Sequence, residues 1–271
     1  MIVVTGATGN VGGELVRILA EGGEQVTAVS RRSARMPDGV RHHQGDLAEP
    51  ESLRPALDGA DALFLLVAGE DPQGILERAG AAGVRRVVLL SSQGVGTRPE
   101  VYRHPARFEE AVRRSGLEWT ILRSGGLNSN AFAWAETIRT RRTAAAPFGD
   151  VGLPTVDPAD VAEVAAAVLH EPGHTGRTYE LNGPALVTPR ERVEAIAAAL
   201  GEPVRFVEQT REEARAQMLT FMPGPVVEGT LGILGEPLPA ELIPSPAVER
   251  ILGRAPRPFA DWAARSAPAF R

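Results

Sequence analysis

The 271-residue chain contains no cysteine and no lysine: all 29 of its basic residues are arginine. Without thiols there is no disulfide, no thiolate nucleophile and no cysteine-ligated zinc or iron–sulfur cluster. Without lysine there is no Schiff base, no P-loop lysine and no Tyr-x-x-x-Lys catalytic pair. An arginine- and alanine-rich, lysine-free composition suggests a genome of high GC content, which is a bacterial hint. Long apolar runs are missing too. The most apolar stretch, residues 62–69, is far short of the roughly 20 residues that span a bilayer. The opening Met1-Ile2-Val3-Val4-Thr5 has neither a basic leader nor a long apolar region, so a cytoplasmic protein with no membrane partner is expected. A net charge of −5 argues against a nucleic-acid partner, which normally requires a basic face. With 43% hydrophobic and 23% charged residues, the composition is that of a globular protein and excludes wholesale disorder.

Short apolar runs alternate with amphipathic segments over the first two-thirds of the chain. Strands are expected at 2–4, 25–30, 62–67, 87–91 and 119–122, with helices starting near 11, 52, 73 and 106. Alternation of this kind predicts an α/β fold, a Rossmann-like doubly wound parallel sheet with helices on both faces. Asp157-Pro158-Ala159-Asp160 reads as a helix start, with a capping Asp, Pro at the first position and an acid in the first turn. A strand at 178–181 and a helix at 189–200 follow. From residue 202 the chain is Pro-rich and mostly short helices. One unit is expected over 1–271. Residues 1–124 and 151–201 would form the dinucleotide-binding core, and 125–150 with 202–271 a smaller, mostly helical substrate lobe.

The strongest chemical signal is Thr5-Gly6-Ala7-Thr8-Gly9-Asn10-Val11-Gly12, a Gly-x-x-Gly-x-x-Gly turn between the first strand and the first helix. Gly6 suits the tight turn, Gly9 allows backbone approach to a pyrophosphate, and Gly12 allows the helix to lie close to the strand. The helix N-terminus, with Thr8, Asn10 and Val11 around it, offers free N–H groups and a positive dipole end. The alternative is a turn that binds nothing, but the strand-to-helix context is what the motif requires. After the second strand comes Ser30-Arg31-Arg32 instead of an acid. An Asp or Glu there would select NAD; two guanidinium groups suit a 2′-phosphate, so the expected cofactor is NADP(H). The alternative is a solvated basic loop. A further strand, the third in chain order, is expected just before Asp46-Leu47; Asp46 either bonds an adenine amino group or closes its own turn. Val67 and Ala68, at the end of the fourth strand, complete this side of the expected cofactor set.

These residues, with Ser115 to Arg123, Asn130, Val156 to Ala162, Gly176 to Leu181 and Leu252 to Phe259, resemble the NmrA-like branch of the atypical short-chain dehydrogenase/reductase superfamily over nearly the whole chain. The resemblance implies NADP(H) binding, with either hydride transfer to quinones and related acceptors or redox sensing without turnover. It places the loop Ser124 to Asn130, including Gly125, Gly126 and Leu127, beside the nicotinamide. Where the family usually has Pro, this chain has Ser124. Some similar reductases carry Lys or His at the start of the helix before Ser115; here the register falls on Pro105, with His104 adjacent.

His104 and Tyr102 are the candidate proton donors, each set against a surface role. Ser91 and Ser92 end the central strand on the ligand-binding edge, as cofactor contacts or as turn residues. Glu109 reads as structural. The adjacent His42 and His43 would point apart, so no metal site is expected. Asn130, Phe221 and Met222 are candidate substrate contacts, the last two as the roof of a pocket for a flat apolar acceptor or as lobe packing. The expected activity is NADPH-dependent transfer of hydride to a quinone, enone or polycyclic aromatic acceptor. The alternative is a non-catalytic NADP(H)-sensing regulator that binds a partner protein. A smaller option is a biosynthetic epimerase, isomerase or cyclase retaining its nucleotide. A homodimer stays open.

Overall fold

The first strand, β1 (Ile2–Thr5), is buried along its whole length, as its uninterrupted apolar run requires when both faces are covered. The computed structural model describes residues 1–271. The chain continues through β2 (Val26–Ser30), β3 (Arg41–Gln44), β4 (Ala62–Leu66), β5 (Arg86–Ser92), β6 (Glu118–Ser124), β7 (Thr143–Pro147), β8 (Arg177–Leu181) and β9 (Arg205–Gln209). Seven of these form one parallel sheet in the order β3-β2-β1-β4-β5-β6-β8. This is the expected doubly wound arrangement. The strand order reverses between β1 and β4, which opens a crevice at their C-terminal ends. Helices Asn10–Glu21 and Pro158–His170 cover one face, and Pro72–Ala81 and Arg103–Arg114 the other. No helix is long and apolar enough to cross a membrane.

Local chemistry sets the helix starts. Asp157 Oδ1 accepts from the Ala159 amide at 2.9 Å, ahead of Pro158, and Asp71 caps Gly74 at 2.8 Å, ahead of Pro72. One boundary differs from expectation. The helix expected to begin at Ala106 starts at Arg103, because Pro105 then falls in the first turn, where its missing N–H has no intrahelical acceptor to lose.

A second, two-stranded sheet, not expected from the sequence, pairs β7 and β9 in parallel, from Thr143↔Arg205 to Pro147↔Gln209. Val193 and Ile196 of helix Pro189–Leu200 share an apolar cluster with Ile138, Phe259, Trp262 and Phe270. Ala247 and Val248 join the cluster under the sheet instead. Helix Pro158–His170 pins the late chain by charge. The fully buried Asp160 carboxylate accepts from Arg254 Nη2 and the Arg257 amide, each at 2.7 Å, and pairs with the Arg257 guanidinium. Glu163 pairs with the same two arginines, and Asp157 with Arg265.

Asp160→Asn is expected to lower unfolding free energy by about 2–3 kcal/mol, somewhat under the range for a fully buried pair because both arginines are partly exposed. Urea denaturation monitored by tryptophan fluorescence checks this. A loss below about 0.5 kcal/mol would show that the tail is held by apolar packing alone.

Candidate functional site

The glycine-rich turn leaves β1 and enters helix Asn10–Glu21. Gly6 has φ +63°, a left-handed conformation natural to glycine. A Cβ on Gly12 would lie 2.2 Å from the Gly6 carbonyl oxygen, so this turn of helix approaches the strand as closely as backbone allows. Gly9 occupies the N-cap position and provides no side-chain cap. The amides of Asn10, Val11 and Gly12 consequently donate to no group in the chain, while Gly13 bonds the Gly9 carbonyl at 2.8 Å. Asn10 Nδ2 donates to Ser129 Oγ at 3.0 Å. A cavity of about 350 Å³ borders Gly9, Asn10 and Gly13. Three unpartnered amides at the positive end of a twelve-residue helix fit a phosphate group.

The Ala7 amide bonds the Val29 carbonyl at 3.1 Å, tying this turn to the end of β2. There Ser30 Oγ donates to the Arg32 carbonyl at 2.8 Å and Gln44 Nε2 to the Arg31 carbonyl at 3.0 Å. The backbone is pinned while the Arg31 and Arg32 side chains are exposed. Neither pairs with a carboxylate among the chain's ion pairs. Asp46 Oδ1 accepts from the Ala48 amide at 3.0 Å, closing its own turn, and Leu47 is buried. Val67 and Ala68 are half-buried just beyond β4.

Further along the edge, the two serines of β5 diverge. Ser91 is buried and its hydroxyl donates to Glu109 Oε1 at 2.8 Å, whereas Ser92 borders a second cavity of about 560 Å³. Glu109 also accepts from Arg123 at 2.8 and 2.7 Å and from Arg113 at 2.8 Å. Burial opposes its charge, but the Arg123, Ser91 and Arg113 hydrogen bonds together hold its carboxyl below the usual range. This network fixes the end of β5 from behind.

The larger cavity brings together Tyr102, Gly125, Gly126, Asn130, Phe221 and Met222 from the expected set. Phe221 is 68% exposed and sits at the mouth. Met222 also packs on the cluster of Ala214, Val227 and Leu231, so lobe packing and cavity lining are one role here. Tyr102 lies against Gly94, where a Cβ would fall 2.3 Å from the ring. Burial, then the charge of Glu241, push its phenol above the usual value, with Arg98 and Ser92 acting the other way.

His104 does not border this cavity. Its Nε2 lies 2.7 Å from the Gly69 carbonyl, beyond β4, and its ring meets Phe108 edge-on. Leu127 forms a bridge with Val156. His42 reaches Ser30 and His43 reaches the Ser52 carbonyl, on opposite sides of β3. Trp134, Thr155, Arg192 and Glu241 are among the cavity residues that have no signal in the sequence. Arg192 and Glu241 look like ordinary charged positions in the sequence and become buried only through tertiary packing.

Fold and cradle together define a Rossmann-type dinucleotide-binding protein. A family model described as NAD(P)H-binding matches residues 6–172, and the chain belongs to that family. It is 38% identical to the (4-alkanoyl-5-oxo-2,5-dihydrofuran-3-yl)methyl phosphate reductase of Streptomyces griseus, covering 100% of this chain and 99% of that protein. It is 31% identical to an NAD(P)H azoreductase of Xenophilus azovorans, again covering 100% and 99%. Among solved structures, the NADPH complex of an Escherichia coli NADPH-dependent quinone oxidoreductase superimposes with a TM-score of 0.79, at 23% identity over 98% of this chain and 99% of the other. The last comparison speaks for the fold alone.

Because its folded pKa is lowered, Glu109 contributes stability above its unfolded value and loses it as pH falls through the folded one. Glu109→Gln is therefore expected to cost roughly 2–4 kcal/mol at pH 7, with the gap to wild type narrowing as the pH falls below about 4.5. Denaturation curves across that window check it; a gap independent of pH would show that the charge is not what holds β5.

Proposed function

We propose that the protein is an NADPH-dependent reductase that delivers hydride to a conjugated, largely apolar acceptor. The observation that carries this reading is the adjacency, on one sheet edge, of the unpartnered amide cradle and a 560 Å³ cavity lined in part by apolar side chains and by the half-buried Tyr102 phenol. The two full-length relatives bear reductase names. The name of the Streptomyces griseus relative describes an unsaturated lactone carrying an acyl group and a methyl phosphate.

In this reading the amides of Asn10, Val11 and Gly12 hold the pyrophosphate, aided by the absence of a side chain at Gly9. Arg31 and Arg32, held by their backbone and free at their guanidinium ends, take the 2′-phosphate. Asp46, Leu47, Val67 and Ala68 border the adenosine half, and Ser92 with Gly125, Gly126 and Leu127 the nicotinamide half. Ser91 acts through Glu109, keeping this edge rigid. Bound NADPH supplies the hydride. Asn130, Phe221 and Met222 orient the acceptor and exclude water.

Tyr102 is favoured over His104 as proton donor. Its phenol is protonated at neutral pH and lines the cavity, whereas His104 Nε2 is engaged by the Gly69 carbonyl. A cavity of this size also favours turnover over a sensing role, which needs a surface and no acceptor site.

NADPH oxidation followed by nicotinamide absorbance, against quinones and conjugated ketones, tests the reading. Tight NADPH binding with no turnover across the panel would overturn it in favour of the sensor. Arg31→Ala with Arg32→Ala should weaken NADPH binding by at least about ten-fold more than NADH binding; equal losses would remove the 2′-phosphate assignment. Tyr102→Phe should lower kcat on a conjugated ketone by about 10²-fold with NADPH affinity retained. Unchanged kcat would remove Tyr102 from the chemistry.

A further inference from the structure

We propose that Arg192 recognises an anionic substituent on the acceptor, so that the cavity selects conjugated substrates bearing a phosphate ester or carboxylate. This rests on the reductase reading for what the cavity holds, and on independent geometry for the charge.

Arg192 is 9% exposed, on helix Pro189–Leu200, and lines the cavity. Its Nε and Nη2 both reach the Val187 carbonyl, at 3.3 and 3.1 Å. Its Nη1 donates to no group in the chain, and no carboxylate pairs with it. Burial pushes its pKa down to about 10, which leaves the guanidinium charged at neutral pH. A buried charge without a counter-ion is destabilising, and a ligand that supplies the opposite charge offsets that penalty.

The other charged residue lining the cavity is Glu241. Its carboxylate is already taken, by Arg98 at 2.7 and 2.9 Å and by the Leu238 amide at 2.8 Å. Arg192 therefore carries the uncompensated charge of the cavity. Thr155 adds a second donor. It is 5% exposed, it lines the same cavity, and its hydroxyl has no partner. The Leu153↔Val187 bridge sets residues 153–155 beside the segment whose carbonyl steadies Arg192. A steadied guanidinium with one free nitrogen, together with a free hydroxyl, matches an oxyanion with several acceptor atoms.

The test measures binding, with no turnover required. NADP⁺-saturated protein is titrated with phenyl phosphate, benzoate and the uncharged benzyl alcohol, followed by tryptophan fluorescence, since Trp134 lines the cavity. Wild type is expected to bind at least one anion about ten-fold or more tighter than the alcohol, and the stronger of the two anions identifies phosphate or carboxylate as the preferred group. Arg192→Met should abolish the preference and Arg192→Lys should keep part of it. Absence of an anion preference in wild type would overturn the proposal. So would a preference that survives in Arg192→Met shown to be folded by thermal melting. If Arg192→Met does not fold, Thr155→Val decides, with an expected drop of several-fold in anion affinity and an unchanged affinity overturning the paired site. An intact anion preference alongside no turnover of any acceptor would sink the reductase reading and leave this assignment standing.

Discussion

The close approach of helix Asn10–Glu21 to β1 is the constraint on which the rest of the site depends. At Gly12 there is no room for even one carbon beside the Gly6 carbonyl. The helix axis is thereby drawn in towards the crevice where the strand order reverses. Its first amides then face that crevice unsatisfied, because Gly9 cannot cap them. An orphaned amide is ordinarily a penalty; three together, at the positive end of a helix dipole, are suited to an anion. Every cofactor contact proposed for this chain is placed by reference to that turn. The end of β2 is tied to it through the Ala7–Val29 hydrogen bond, and β4 flanks β1 on the other side.

A second constraint fixes what lies across the crevice. The acids at positions 157, 160 and 163 occupy the first two turns of helix Pro158–His170, and each meets arginine from the C-terminal segment. The first turn of a helix already favours negative charge, so the same carboxylates serve the helix and the tail. The tail in turn buries Phe259 and Trp262 against helix Pro189–Leu200, the helix that delivers Arg192 to the cavity. The chain of dependence runs from a capping motif, through ion pairs, to the wall of the larger cavity.

Much of this was legible in the sequence, and the parts that were not share a physical cause. Parallel strands buried on both faces announce themselves as apolar runs, and the strand–glycine–helix junction carries its function in local geometry. Asp157 and Pro158 mark their helix because capping is a short-range interaction. Strands β7 and β9 carry no such signature, because Thr143 to Pro147 is mostly alanine and its pairing partner lies some sixty residues away. His104 looked equivalent to Tyr102 in sequence. The two diverge only because the helix starts at Arg103, which turns one side chain to the Gly69 carbonyl and the other to the cavity. The sequence pattern around Arg192 is that of a solvated helix face; its burial comes from tertiary packing.

The absence of lysine acquires a meaning inside the cavity. The burial that brings Arg192 down to about 10 leaves it charged at neutral pH. A lysine buried in the same place, ordinarily near 10.4, would also be pushed down and would hold its charge over a narrower range of pH. A guanidinium also divides its donors, so two nitrogens can be committed to the Val187 carbonyl while the third stays free, whereas an ammonium is a compact point charge without a fixed fork of donors. Arginine is thus the basic side chain better suited to being both fixed by the protein and kept charged at a buried position. A chain whose every cation is arginine meets that requirement without any special substitution, and the cavity's single uncompensated charge persists across the pH range in which its acceptor would be bound.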